Sequence, residues 1–260
     1  MNSRLKNHFY HEIETDLGTK IVGKNVYHFN TIDSTNSYAK KLIEESIDEG
    51  TVVVSDFQLS GRGRKNRQWS SPKGGLWFSV ILYPNIVPEK GMLVTMNASI
   101  AVAQAIKEMT YLDPEIKWPN DILIDGKKVC GILTENNTKN KKINYSIVGI
   151  GINVNNEIES NLQDIAISLK QKTGVEISKS ELLRSVLRFF DENYRKMNSG
   201  DFETNRNLWL SFTNFTGKKV RVKDGEEIIG IFKTIDENGY LILETSDGIT
   251  RIFSGDIDIL

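Results

Sequence analysis

Apolar and polar positions follow two different textures along this chain, and the change falls near residue 214. Before it, short β-branched or apolar runs alternate with longer stretches whose apolar residues recur every three or four positions, the mark of strands mixed with helices. Residues 21–29 predict a first strand. Ser34 then precedes a helical pattern with Tyr38, Ala39, Leu42 and Ile43 on one face, so Ser34 is the expected N-cap. Residues 51–57 are β-branched and predict a strand, 58–75 a polar loop, and 76–83 a buried strand. Residues 92–109 are Ala-rich and apolar on most faces, which predicts a buried helix. Short strands are expected at 115–118 and 122–124, then at 129–135 and 143–150, with Asp125-Gly126 as a hairpin turn. Residues 162–170, 181–197 and 202–212 read as helices.

Beyond residue 214 the pattern shortens. Residues 218–222, 227–235, 240–244 and 250–252 predict strands separated by Asp224-Gly225, Asn238-Gly239 and Asp247-Gly248. That spacing indicates a small all-β module, expected as a barrel. The domain organisation predicted is therefore 1–214, a central sheet with flanking helices, followed by 215–260.

Composition narrows the classes. Residues number 260 with a formal net charge of −1, so no global field draws in nucleic acid or membrane, and recognition of an anion has to come from a local cluster. Cys130 is the single cysteine, which excludes a disulfide framework and a cysteine-built zinc site within one chain. The opening segment, residues 1–20, has no apolar core of signal-peptide length, and no stretch approaches the roughly 20 apolar residues of a membrane span. A cytoplasmic location is expected. His8, His11 and His28 show no ligand spacing with a carboxylate or cysteine and receive no role.

Four segments carry candidate chemistry. Gly61-Arg62-Gly63-Arg64-Lys65-Asn66-Arg67-Gln68-Trp69 places cations, glycines and an indole in one loop. Glycines let backbone approach a ligand, guanidinium forks suit phosphate and carboxylate, and an indole offers a face to a nucleobase. The loop fits a nucleotide; a solvated basic loop or an RNA contact has the same composition. In Lys117-Trp118-Pro119-Asn120-Asp121, Pro119 marks a sheet break or edge. There Asp121 could hold a hydrated Mg²⁺ alongside phosphate oxygens, or the segment could be a plain turn. Lys128 opens an apolar strand containing Cys130 and Gly131, where a lysine can reach inward as a point charge. Cys130 reads as a packed, inert residue. Gly149, Gly151 and Asn153 end another apolar strand, with Asn153 able to bond an adenine edge or ribose. No Walker-type or Rossmann glycine loop is present, so ATP, if bound, is bound in another way.

In this order, GRGRKNRQW (61–69), KWPNDI (117–122), KKVCGILTE (127–135) and GIGINVN (149–155) resemble the biotin protein ligase family, with Ser34-Thr35-Asn36 and Gln58 also fitting. The resemblance runs from about residue 25 to the end. It implies an α+β fold: a central mixed or antiparallel sheet with flanking helices of the class II synthetase-like type, plus a small C-terminal SH3-like β-barrel. It implies ATP-dependent formation of biotinyl-5′-AMP, with Mg²⁺, and transfer of biotin to a lysine of a biotin carboxyl carrier protein. At matching positions, Ser34, Thr35, Asn36, Gln58 and Gly61 would serve the biotin pocket, and Arg62, Gly63 and Arg64 the carboxylate and phosphate region. Lys128 would contact the acyl phosphate, Gly131 would border biotin, and Arg64 and Lys128 would be the catalytic pair. Arg67, Trp69, Lys117 and Asn153 would hold the nucleotide, with Asp121 near the metal.

Asn66 stands where the family's loop often has a third glycine; asparagine tolerates left-handed backbone, so the loop shape is expected to survive. Lipoate ligases share the fold, but their Arg-Arg and triple-glycine loop has no equivalent here. About twenty-five residues precede the first strand, too few for a three-helix DNA-binding unit, so no operator binding is expected. A homodimer through an edge of the central sheet is a further implication of the resemblance.

Overall fold

The computed structural model describes residues 17–260; His8, His11 and the polar opening segment before residue 17 lie outside the described residues. The main sheet contains β1 (Val26–Phe29), β2 (Val52–Ser55), β3 (Leu76–Leu82), β4 (Glu115–Lys117), β5 (Asp121–Ile124), β6 (Lys127–Lys139) and β7 (Lys142–Ile152). Its seven strands run in the order β1-β2-β3-β7-β6-β5-β4. β1 and β2 are parallel and the remaining neighbours antiparallel, so the sheet is mixed, as expected.

Because side chains alternate across a strand, the two faces of this sheet have different fates. One face carries Val52, Val54, Phe78, Val80, Val148 and Ile150 into the main core. That core is completed by α2 (Met92–Thr110) and α4 (Lys179–Asn198). The other face packs Val53, Ile81 and Ile147 under Ala39 and Leu42 of α1 (Thr35–Glu44). Further along this second face the side chains shrink. Ser79 pairs with Gly149, Trp77 with Gly151, and Gly131 with Gly151 across the adjoining strands. A sheet centre paved with serine and glycine leaves space above it, and the site occupies that space.

The C-terminal strands β8 (Lys219–Asp224), β9 (Glu226–Ile235), β10 (Leu241–Thr245), β11 (Gly248–Ile252) and β12 (Asp256–Ile259) form one antiparallel sheet in the order β11-β10-β9-β8-β12. It adjoins the main sheet's core: Trp118 Nε1 donates to the Gly239 carbonyl at 3.2 Å. Among the described residues no helix is long and apolar enough to cross a membrane.

Several elements differ from the sequence reading. The first strand begins at Val26 because the preceding backbone turns, with the N–H groups of Lys20, Ile21 and Val22 captured by Asp191. Residues 162–170 do not form one helix. The Leu162 carbonyl accepts from Ile165 N and Ala166 N in a tight turn, and the start of β6 then pins Ala166 alongside it, with Lys128 N donating to Ile165 O and Ile167 N to Lys128 O. Only α3 (Leu169–Thr173) follows, capped by Ser168. Ser34 occupies the N-cap position of α1 but makes no side-chain capping bond. Strand β12 was not expected, and no ladder joins it to β11, so the C-terminal sheet is hydrogen-bonded open between those two strands. Both β6 and β7 run longer than expected, and α5 (Phe202–Ser211) matches its prediction.

Candidate active site

A cavity of about 340 Å³ lies over the small-residue centre of the sheet. Of the residues expected to act, it is lined by Ser34, Thr35, Asn36, Gln58, Arg62, Gly63, Arg64, Arg67, Trp69, Asp121, Lys128, Gly131 and Asn153. The structure therefore gathers onto one cleft groups from all four motif segments, together with Ser34, Thr35, Asn36 and Gln58. Gly61 and Lys117 stand outside the lining. Gly61 lies behind it, and a Cβ there would sit 2.3 Å from the Trp69 carbonyl. Lys117 turns instead to Asp258 of β12, at 2.7 Å.

One end of the cleft is neutral and polar. Gln58 Oε1 accepts from Thr35 N at 2.8 Å and Thr35 Oγ1 at 3.2 Å, while Gln58 Nε2 donates to Ser71 Oγ at 2.8 Å. Ser79 Oγ lies 2.7 Å from Thr35 Oγ1 and 2.6 Å from Asn36 Oδ1. Ser34, Thr35, Asn36, Ser71 and Ser79 are all buried. These oriented hydroxyls and amides suit a neutral ligand head with both N–H donors and a carbonyl acceptor.

The other end is cationic and aromatic. The basic loop folds as a small hairpin in which Arg62 bridges Gln68 and Gly63 N donates to Arg67 O at 2.8 Å. Asn66 takes φ +58°, the left-handed conformation expected of it, and Lys65 joins it at φ +55°. The Trp69 indole lies over the glycine pair: a Cβ on Gly151 would come within 2.5 Å of Nε1 and one on Gly131 within 2.9 Å of the ring. Gly131 thus makes room for the indole, and it also lines the cleft. Lys128 Nζ stands 5.0 Å from the same ring centroid, within cation–π range. Trp69 Nε1 is buried without a hydrogen-bond partner.

Each cation here is matched to a carboxylate. Arg62 pairs with Glu135 at 3.0 Å, Lys128 with Asp121 at 2.7 Å, and Arg64 and Arg67 each with Asp256 at 3.5 Å. Lys65 lies 3.5 Å from Asp224. Arg64 also donates to Asn120 Oδ1 at 2.9 Å. Among the described residues no group of three or more His, Cys, Asp or Glu side chains converges to cage a metal. Asp121, engaged by Lys128, is one carboxylate beside the cleft. That is enough only for a magnesium ion whose other ligands are phosphate oxygens and water.

Cys130 is fully buried on the core side of β6, and burial pushes its thiol upward against the pull of Lys128, so it is an inert packing residue. Asn153 is buried and accepts from Asn156 Nδ2 at 3.1 Å. His28 pairs with Asp56 at 3.1 Å, away from the cleft lining.

Sequence reading passed over Ser79, Ser71, Asn120, Glu135 and Asp256. Ser79 had a visible signal, a lone hydroxyl in an otherwise apolar strand. Asn120 and Glu135 lie within the 117–122 and 127–135 motifs, where the sequence gives them no distinct chemical signal. Asp256 had none, since its strand was not foreseen.

Residues 28–153 match the biotin/lipoate A/B protein ligase family, and residues 215–260 match the biotin protein ligase C-terminal domain. The bifunctional ligase/repressor BirA of Bacillus subtilis is 39% identical over 253 residues, spanning 95% of this chain and 78% of that protein. The chain belongs to the biotin protein ligase family. The biotin–[acetyl-CoA-carboxylase] ligase of Paracoccus denitrificans, 30% identical over 227 residues, covers 83% of this chain and 92% of its own. Among solved structures, the biotin protein ligase from Aquifex aeolicus in complex with biotin and ATP superposes with a TM-score of 0.78 at 33% identity, covering 91% of this chain and 99% of that one. The mixed sheet with flanking helices and the second, C-terminal antiparallel sheet are those of biotin protein ligases.

Proposed function

We propose that this chain is an ATP-dependent biotin protein ligase that forms biotinyl-5′-AMP and passes the biotinyl group to a lysine of a biotin carboxyl carrier protein. The observation that carries this reading is the polarity of the cleft, neutral hydroxyls and amides at one end and Arg62, Arg64, Lys128 and Trp69 at the other. A ureido ring suits the first end; a carboxylate, a phosphate and a nucleobase suit the second.

The biotin carboxylate attacks the α-phosphorus of ATP, an acyl–phosphate bond forms as the bond to pyrophosphate breaks, and pyrophosphate leaves. No enzyme nucleophile is needed, in keeping with the burial of Cys130. Arg64 and Lys128 act by placing positive charge where oxygens crowd in the transition state. To do so they exchange Asp256 and Asp121 for substrate oxygens. Arg67, Trp69 and Asn153 are assigned to the AMP portion, Lys117 to the departing phosphates and Asp121 to magnesium. The loop then excludes water from the mixed anhydride, which the acceptor lysine attacks with release of AMP. Residues 1–214 and 215–260 are the proposed working units. The second supplies Asp224, Asp256 and Asp258 to the cations of the first. A homodimer through an edge of the main sheet belongs to the same proposal.

The test is pyrophosphate release by purified protein given biotin, ATP and magnesium, with lipoate in place of biotin as the control. Biotin-dependent release is expected, and Arg64→Ala should lower its rate about 10²-fold or more. Release with lipoate alone, or adenylate formation at the normal rate by Arg64→Ala, overturns the reading.

A further inference from the structure

The basic loop has two footings on the sheet. One is the Trp69 indole on its glycine floor. The other is Arg62, held by Glu135 of β6. The Glu135 carboxylate has two partners: Oε1 accepts from Arg62 Nη2 at 3.0 Å, and Oε2 accepts from Asn36 Nδ2 at 2.8 Å and, more distantly, from Arg62 Nη1 at 3.5 Å. Asn36 is buried at the start of α1, and its Oδ1 accepts from Ser79 Oγ at 2.6 Å. From Ser79 the contacts continue through Thr35 and Gln58 to Ser71, whose Oγ donates to the Trp69 carbonyl at 3.1 Å. Both footings are thus ends of one hydrogen-bonded path that runs through the neutral end of the cleft. A carboxylate suits both donors because each of its oxygens accepts; a glutamine in the same place would turn its NH2 group toward one of them.

We propose that Glu135 is a positioning residue that couples the neutral pocket to the basic loop, by holding Asn36 and Arg62 in one geometry. The kinetic part rests on the ligase reading above; the structural part does not. Filling the pocket stiffens Asn36 and, through Glu135, the stem of the loop, so that Arg64 is already placed when the nucleotide arrives. Misplacing a charged group by an ångström is enough to slow a reaction severely.

The loop contains four trypsin-sensitive positions, Arg62, Arg64, Lys65 and Arg67, which gives a readout independent of substrate. In ligand-free protein, Glu135→Gln should raise the rate of loop cleavage by up to about fivefold, the range of a half-exposed ion pair. In the kinetic arm, Glu135→Gln should lower the kcat of adenylate formation about tenfold while the biotin KM moves less than about threefold. In an Arg62→Gln background the same change should add almost nothing, because its partner is already gone. If Glu135→Gln does not fold, Glu135→Asp, which keeps the charge on a shorter arm, replaces it in both arms. Unchanged trypsin cleavage, or equal kcat losses in the two backgrounds, overturns the proposal. Failure of the wild-type protein to release pyrophosphate with biotin overturns the ligase reading instead, and the cleavage comparison with and without Arg62 still decides the role of Glu135.

Discussion

Gly149 and Gly151 stand two residues apart on β7 and point to the same face, yet they support different halves of the cleft. A Cβ on Gly149 would lie 2.2 Å from Asn36 Oδ1 and 2.9 Å from Asn36 Cγ. Ordinary contact is about 3.5 Å, so the amide has to retreat by roughly 1 Å or more. It cannot do so and keep both its 2.6 Å bond from Ser79 and its 2.8 Å bond to Glu135. Stranding a buried amide costs about 1–3 kcal/mol. At about 1.4 kcal/mol per decade, that corresponds to a rise of roughly 5- to 140-fold in the biotin KM of Gly149→Ala. On Gly151 the Cβ would meet Trp69 Nε1 at 2.5 Å. That indole nitrogen has no hydrogen bond to lose, so the ring is displaced and the ATP KM should rise instead. Steady-state pyrophosphate release, with biotin and ATP varied separately, measures both. The reasoning fails if the two substitutions raise the same KM, or if Gly149→Ala leaves the biotin KM within about twofold of wild type.

Asp191 accepts from the N–H groups of Lys20, Ile21 and Val22 and pairs with Arg195 at 2.9 Å. Burial alone would raise its carboxyl, but those donors outweigh it and hold the folded group below the usual range. Its stabilisation is therefore complete above the unfolded value of about 3.9 and is lost as pH falls through the lower folded value. Asp191→Asn should cost about 1–3 kcal/mol at pH 7 in urea unfolding, with the gap to wild type closing toward pH 3; a gap constant with pH would falsify this assignment. Cys130 should resist a thiol reagent in the native protein and react once per chain after unfolding in guanidinium; prompt labelling of the native state contradicts its burial.

The fold was legible where periodicity and packing agreed. Residues 92–109 announced a buried helix, and α2 buries nearly every side chain from Leu93 to Ile106. Asp125-Gly126 announced a hairpin, and both residues take positive φ between β5 and β6. Legibility failed where distant partners decide. Residues 162–170 have helical spacing, but backbone bonds from Ile165 and Ile167 to Lys128 interrupt it. The site was readable as residue types in motifs, because glycine, arginine and tryptophan in one loop narrow the chemistry. Which oxygen answers which donor was not readable. Glu135 and Asp256 acquire meaning only once β6 and β12 are set beside the loop.

The pairing of the loop's cations with carboxylates has a consequence for what the cleft rejects. A bare cluster of arginines and lysines would concentrate any polyanion in the cell, and strands of RNA most of all. Here an incoming anion gains only the difference between itself and the resident acid it evicts. Weakly held, badly shaped anions gain little from that exchange, whereas a compact triphosphate that displaces several residents together gains from each. Internal competition of this kind lets a strongly basic surface patch remain selective in a chain whose overall charge is near zero.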